Sequence, residues 1–212
     1  MSESDQVVFV VDDDDAVRGS LRMLLHSVGL KSVLYPSAAA FLAEVSNRQR
    51  GCALLDIRMP GMSGLELFEQ LNARGIRLPV IFITGHGDVP MAVRAIKKGA
   101  FDFLQKPFND QDLLDRVQVA LREDTTRRSS DAERQALRLR RDRLTPRERE
   151  IMERVVAGQA NKVIAIDLGL SERTVELHRA HVMEKMEVRS LAELVATNLK
   201  LKEGGEGSGT DA

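Results

Sequence analysis

One cysteine in 212 residues, Cys52, removes two classes of chemistry together. A lone thiol cannot close an internal disulfide and cannot build a zinc site by itself. It opens the apolar run Cys52-Ala53-Leu54-Leu55, so it is expected in a core rather than as a reactive group. No apolar run approaches the roughly 18 residues that a membrane helix needs, and no membrane association is expected. The first residues, Met-Ser-Glu-Ser-Asp, are acidic and polar, unlike a secretory signal. A cytoplasmic protein is expected. Charge of one sign is lacking as well: 31 basic side chains stand against 32 acidic ones, for a net charge of -1. Charge alone therefore makes nucleic-acid binding only a weak expectation. The one basic stretch is 123–143, with seven basic and five acidic residues.

What is present suits two domains in one chain. Short apolar runs at Val7–Val11, Lys31–Tyr35, Cys52–Asp56, Pro79–Thr84 and Asp102–Gln105 alternate with helix-period segments. Those segments are Ala16–Val28, Ala38–Val45, Leu65–Asn72, Val89–Lys98 and Asp110–Leu121. Fivefold strand-helix alternation predicts a doubly wound α/β domain over 1–121, with a five-stranded parallel sheet covered on both faces. Val7–Val11 is apolar at every position, as a strand buried on both sides requires. Asp88 can cap the fourth helix, Pro90 fits its first turn, and Gly99 can close it.

Residues 122–143 read as a linker with some stiffness, because Ser130 and Glu133 have capping-box spacing and predict a helix start. From Leu144 the strand pattern ends. Thr145-Pro146-Arg147-Glu148 is a complete helix start, and Gly158 ends that helix. Helices follow at about Asn161–Leu168 and Glu172–Lys185, separated by Gly169-Leu170-Ser171, which is helix-turn-helix spacing. Ser190 with Glu193 starts a fourth. The expected second domain is thus an all-α four-helix unit over 144–202, and the Gly-rich 203–212 is expected to be a disordered tail.

In an open parallel sheet, ligands bind beyond the carboxyl ends of the strands. Here those ends carry Asp12-Asp13-Asp14-Asp15, Asp56, Thr84 and Lys106-Pro107. Converging carboxylates repel one another unless a cation joins them, and a hard ion such as Mg²⁺ is the natural one. Lys106 supplies charge and Thr84 a hydroxyl for a phosphate, and Asp56 is the candidate nucleophile toward phosphorus. His86 follows Thr84 in a Gly-His-Gly loop and reads as a loop residue that shapes the site. His26 sits in an ordinary helical pattern and carries no expectation.

Val-Val-Asp12-Asp13-Asp14, Leu-Leu-Asp56-Ile-Arg-Met-Pro-Gly-Met-Ser-Gly, Ile-Thr84-Gly-His-Gly-Asp and Lys106-Pro-Phe resemble the receiver domain of two-component response regulators. Thr-Gly-His-Gly-Asp-Val-Pro-Met-Ala-Val is similar to the FixJ branch. The resemblance spans residues 5–121. It implies that Asp56 takes a phosphoryl group from a phosphohistidine on a sensor histidine kinase. It also implies that Asp13, Asp56 and the backbone carbonyl of Arg58 hold Mg²⁺ (or Mn²⁺ in its place), with Asp12 nearby or acting through water. Thr84 and Lys106 would bind the phosphoryl oxygens, and Phe103 matches the aromatic that moves with Thr84 on phosphorylation. From its pattern alone Phe103 is a core residue.

On Glu172–Lys185, Val175, Val182 and Met186 can form a buried stripe, leaving Arg173, Thr174, Glu176, His178, Arg179, His181 and Lys185 outside. His178 and His181 have metal-ligand spacing, yet no Cys or further His accompanies them, and no zinc site is expected. Leu144-Thr-Pro-Arg-Glu-Arg-Glu-Ile, Asn161-Lys-Val-Ile-Ala and Leu170-Ser-Glu-Arg-Thr-Val-Glu-Leu-His resemble the LuxR/NarL-type DNA-binding domain. This resemblance, over 143–200, implies that Glu172–Lys185 enters the major groove of double-stranded DNA. Lys162, Thr174, His178, Arg179 and Lys185 are the candidate contacts. Glu176 departs from a commonly basic position and would read a cytosine amino group or repel phosphate. Ala160 and Val163 depart from the pattern as well, at a cap and beside Asn-Lys.

Together these resemblances imply a transcription regulator, not an enzyme. Phosphorylation would pair the fourth helix and fifth strand between two chains, and the dimer would bind DNA and work with RNA polymerase, usually as an activator. A magnesium-dependent phosphatase would need an acid-base Asp two residues beyond its nucleophile, where this chain has Arg58. A phosphorylation-independent DNA-binding or adaptor protein is the other alternative.

Overall fold

The structure is a computed structural model and describes residues 6–85 and 89–203. The chain divides into two compact units between Arg128 and Ser129. Among the described residues, no helix is long and apolar enough to cross a membrane.

The first unit alternates strands and helices: β1 (Val7–Val11), α1 (Asp15–Ser27), β2 (Lys31–Tyr35), α2 (Ala38–Glu44), β3 (Gly51–Asp56), α3 (Gly64–Ala73), β4 (Val80–Thr84), α4 (Val89–Lys97) and β5 (Asp102–Gln105). Helix α5 (Asp110–Asp142) follows, and the division between the units falls inside it. The strands pair in parallel in the order β2-β1-β3-β4-β5. Side chains alternate across a strand, so each strand supplies two cores. Phe9, Val11, Leu55 and Phe82 face one layer with Phe41, Leu67 and Phe68. Val8, Val10, Leu54 and Ile81 face the other with Leu25, Leu113 and Val117. This is why the inner strands are apolar at nearly every position. Cys52 is fully buried in the second layer, and burial pushes its thiol well above the ordinary range, with the Asp124 carboxylate adding to the shift.

Local signals set the helix starts. Asp14 accepts hydrogen bonds from the Ala16 and Val17 amides at the head of α1, and Ser63 with Glu66 forms a capping box on α3. Gly51 begins β3 with φ 130°, and a Cβ there would lie 1.8 Å from the Val7 carbonyl oxygen, so only glycine fits.

The second unit contains the end of α5 and then α6 (Pro146–Val156), α7 (Asn161–Leu168), α8 (Glu172–Met186) and α9 (Leu191–Glu203). Thr145 and Glu148 form the expected capping box on α6. Gly169 closes α7 at φ 64°, and Ser171 caps α8. Leu137, Ile151, Met152, Val155, Ile164, Leu194 and Leu201 form the core with the Val175, Val182 and Met186 stripe.

One expectation is corrected. Ser130 does not start a helix, because α5 runs through it without a break. The segment 122–143 is rich in Arg and contains neither Gly nor Pro, and that helix propensity outweighs a local serine cap once the helix is already propagating. His86 and Asp88, with their expected loop and cap roles, lie outside the described residues, as does the expected tail beyond Glu203.

Candidate functional site

Three strand ends bring the central groups together. Asp12 follows β1, Asp56 ends β3, and Lys106 follows β5. The Lys106 ammonium donates to Asp12 Oδ2 at 3.0 Å and to Asp56 Oδ1 at 2.9 Å. The remaining carboxylate oxygens accept backbone N–H groups: Asp14 donates to Asp12 Oδ1 at 2.9 Å, and Arg58 donates to Asp56 Oδ2 at 2.7 Å. Asp12 and Asp56 are 2% and 9% exposed, so two carboxylates are buried against a single lysine.

Electrostatics follow from that count. Burial pushes the Asp56 carboxyl upward; the hydrogen bond and charge of Lys106 and the Arg58 amide oppose this, while the Asp12 charge adds to it, and the net direction is up. Burial pulls Lys106 down, but its hydrogen bonds to Asp56 and Asp12 and their charges outweigh that, and the ammonium is held above its ordinary value. Two buried carboxylates facing one lysine leave excess negative charge, which suits a hard divalent cation held by oxygen donors.

Thr84 ends β4 and is 1% exposed, with its hydroxyl 3.3 Å from the Gly85 carbonyl oxygen. The Lys106 amide donates to the Thr84 carbonyl at 2.7 Å, which ties the end of β5 to the end of β4. The Lys106–Pro107 peptide is cis. Phe103 pairs in register with Phe82 and packs, partly buried, on the first apolar layer. Asp13 is exposed and is not among the groups that Lys106 bridges.

Sequence reasoning missed Arg18. This residue of α1 is 9% exposed and donates to the Asp12 carbonyl oxygen at 2.6 Å while pairing with Asp15. It braces the acidic turn from behind. Its position three residues after Asp15 on one helix was the available signal.

In the second unit, Lys162 on α7 and Glu176 on α8 are exposed, and Thr174 is half-buried with its hydroxyl 2.8 Å from Ser171 Oγ. Arg179 donates to the Asn161 side chain and so is held toward α7. Lys185 turns inward: its ammonium lies 2.6 and 2.8 Å from the two oxygens of Glu148, which is 3% exposed. Burial pushes the Glu148 carboxyl up, but hydrogen bonds from Lys185 and Thr145 together hold it below its ordinary value. His178 lies beside this pair with its Nδ1 buried and unpartnered among the described residues. The sequence assigned Glu148 to a cap and Lys185 to an outer face, because their contact spans 37 positions and no local pattern shows it.

The chain matches the response regulator receiver domain family over residues 8–118 and the luxR family of bacterial regulatory proteins over 142–197. It is 52% identical over 188 residues to the transcriptional regulatory protein FixJ of Azorhizobium caulinodans, covering 89% of each chain. It is 42% identical over 206 residues to the response regulator protein TodT of Pseudomonas putida strain F1, covering 97% of this chain and 91% of that one. Among solved structures, the response regulator StyR is similar at a TM-score of 0.84 and 46% identity, covering 92% of this chain and 99% of that one.

Proposed function

Because the chain belongs to the response regulators that join a receiver domain to a luxR-family DNA-binding domain, we propose that Asp56 is its phosphoacceptor and that phosphorylation promotes dimerisation and DNA binding. The observation that carries this reading is the Lys106 bridge between two buried carboxylates at the ends of β1 and β3. In the reaction, an Asp56 carboxylate oxygen attacks phosphorus, the bond from phosphorus to the donor's histidine nitrogen breaks, and its electron pair leaves with the imidazole, which takes up a proton. Lys106 then exchanges a carboxylate partner for a phosphoryl oxygen, and the Thr84 hydroxyl donates to another. Asp12, Asp13, Asp56 and the Arg58 carbonyl would hold Mg²⁺, with Mn²⁺ able to substitute. Bound there, the ion neutralises charge on the transferring phosphoryl group.

The domains assigned are a receiver over 1–121, a connector over 122–143, the DNA-binding domain over 144–202 and a tail over 203–212. Thr84 and Phe103 report the phosphoryl group to α4 and β5, through which two chains pair, and α8 enters the major groove. Two recognition helices then suit half-sites about one helical turn apart. The only chemistry assigned to the receiver is its own phosphorylation and dephosphorylation. The partners are a sensor histidine kinase, double-stranded DNA and RNA polymerase in the cytoplasm, with activation as the outcome.

The test uses the full chain with Mg²⁺ and acetyl phosphate as donor, reading intact mass and oligomeric state together. One phosphoryl adduct and a shift to dimer are expected, and both are lost in Asp56→Asn. An adduct that persists in Asp56→Asn would overturn the assignment, and no adduct in the wild type would favour phosphorylation-independent binding.

A further inference from the structure

We propose that Glu148, His178 and His181 form a binding site for a divalent transition-metal ion of the zinc class, and that its occupancy exchanges with the ion pair holding Lys185. His178 and His181 stand three residues apart on α8 and so share a face of it. Glu148 reaches the same spot from α6. One ligand atom from each of the three lies within 4.8 Å of the others, and His181 Nδ1 is 3.8 Å from Glu148 Oε1. The third ligand that the histidine spacing lacked is thus supplied from another helix.

Two features separate this trio from an incidental surface cluster. Glu148 is 3% exposed, and the cation that a buried carboxylate requires is Lys185, whose place a metal ion would take. His178 Nδ1 is buried and has no hydrogen-bond partner among the described residues, although a buried polar atom ordinarily has one. A metal ion bound through that nitrogen would give it a partner and would replace Lys185 on the carboxylate. Two imidazoles and one carboxylate are a donor set that zinc accepts with a fourth position left for water. Ligand atoms around tetrahedral zinc stand about 3.4 Å apart, given bond lengths of about 2.0–2.2 Å, so the trio must draw together. The His181 ring, 46% exposed on its side chain, is free to supply most of that movement.

Lys185 is the competitor. Its ammonium occupies both Glu148 oxygens at 2.6 and 2.8 Å. A dication bound to the same carboxylate repels it, so metal binding releases Lys185 from α6 while it stays on α8. The site therefore couples metal to the charge that α8 presents. It rests on ligand geometry and not on the phosphorylation reading, and its test involves neither phosphate transfer nor DNA.

The experiment is a Co²⁺ titration of the untagged full-length chain in saturating Mg²⁺, which occupies the receiver's oxygen site. The visible absorption of four-coordinate cobalt is the signal. One equivalent is expected, displaced by Zn²⁺, with affinity weakened about tenfold or more in His178→Gln and in His181→Gln. Lys185→Met is expected to tighten binding, because it removes the competing ammonium. No cobalt band in the wild type, or one unaltered by both histidine substitutions, would overturn the site. Weaker binding in Lys185→Met would overturn the exchange.

Discussion

A Cβ on Gly64 would lie 2.1 Å from the Asp56 carbonyl oxygen and 3.3 Å from Ile57 Cα. The Gly64 amide also donates to the Ile57 carbonyl at 3.0 Å, so the head of α3 rests directly on the turn that carries Asp56. Any side chain here must push that backbone, and overpacking of this kind costs about 1–3 kcal/mol. Gly64→Ala is expected to lower stability to urea by that amount and to slow acetyl-phosphate labelling of Asp56 several-fold. Gly19, inside α1 with open space around its Cβ position, is the control. Gly19→Ala is expected to stabilise by about 0.5–1 kcal/mol with labelling unchanged. Equal labelling of both variants would show that the turn does not depend on this close approach. At this scale the site was legible where chemistry announces itself. Asp12, Asp56, Thr84 and Lys106 sit at strand ends, and a strand end can be found from an apolar run. Gly64 was not legible and Arg18 only through its spacing from Asp15, because each acts on a backbone carbonyl of another segment, and a carbonyl has no letter in the sequence.

Helix α5 shows how an element can be anchored by one residue. Asp124, fully buried, accepts from the Gly51 amide at 3.0 Å and from Arg128 at 2.9 and 3.0 Å, and also pairs with Arg127. Arg128 in turn donates to the Asn47 and Gln49 carbonyls. This one carboxylate ties the helix to the start of β3. Removing a buried partner of a charged pair costs about 3–5 kcal/mol, the lower end applying where the arginines can still reach water. Asp124→Ala is expected to lower stability by about 3 kcal/mol in urea unfolding, and a loss below about 1 kcal/mol would mean the anchor is dispensable. Helix α6 depends similarly on Glu148, which caps its own N-terminus and pairs with Lys185. Because its folded carboxyl titrates below the ordinary value, its contribution is complete above that value and is lost as pH falls through the folded one. Protection factors of the α6 and α8 amides, from hydrogen exchange corrected for the intrinsic rate at each pH and measured with a chelator present, are expected to fall on acidification in the wild type. In Glu148→Gln they should already be low at neutral pH and change less with acid. Element existence was readable throughout from periodicity and caps. The misread start at Ser130 was a local signal overridden by helix propagation, and the Asp124 and Glu148 contacts join positions 73 and 37 apart.

For the molecule as a whole, a net charge of -1 means that DNA affinity cannot come from a general positive field. It must come from a few cations placed against phosphates, and the structure distinguishes two that the sequence treated alike. Lys162 is exposed on α7, whereas Lys185 is spent on buried Glu148. Each phosphate contact contributes about 0.9 to the slope of log affinity against log salt, and a dimer makes each contact twice. Lys162→Ala is therefore expected to reduce that slope by about 2 for the phosphorylated protein on double-stranded DNA, weakening binding to cognate and random sequence alike. Lys185→Ala, assayed in chelator, is expected to leave the slope unchanged and to act through stability instead. Fluorescence anisotropy across a salt series measures both. A slope that falls with Lys185→Ala but not with Lys162→Ala would mean that the buried pair opens when DNA arrives, and that α8 rather than α7 carries the phosphate contact.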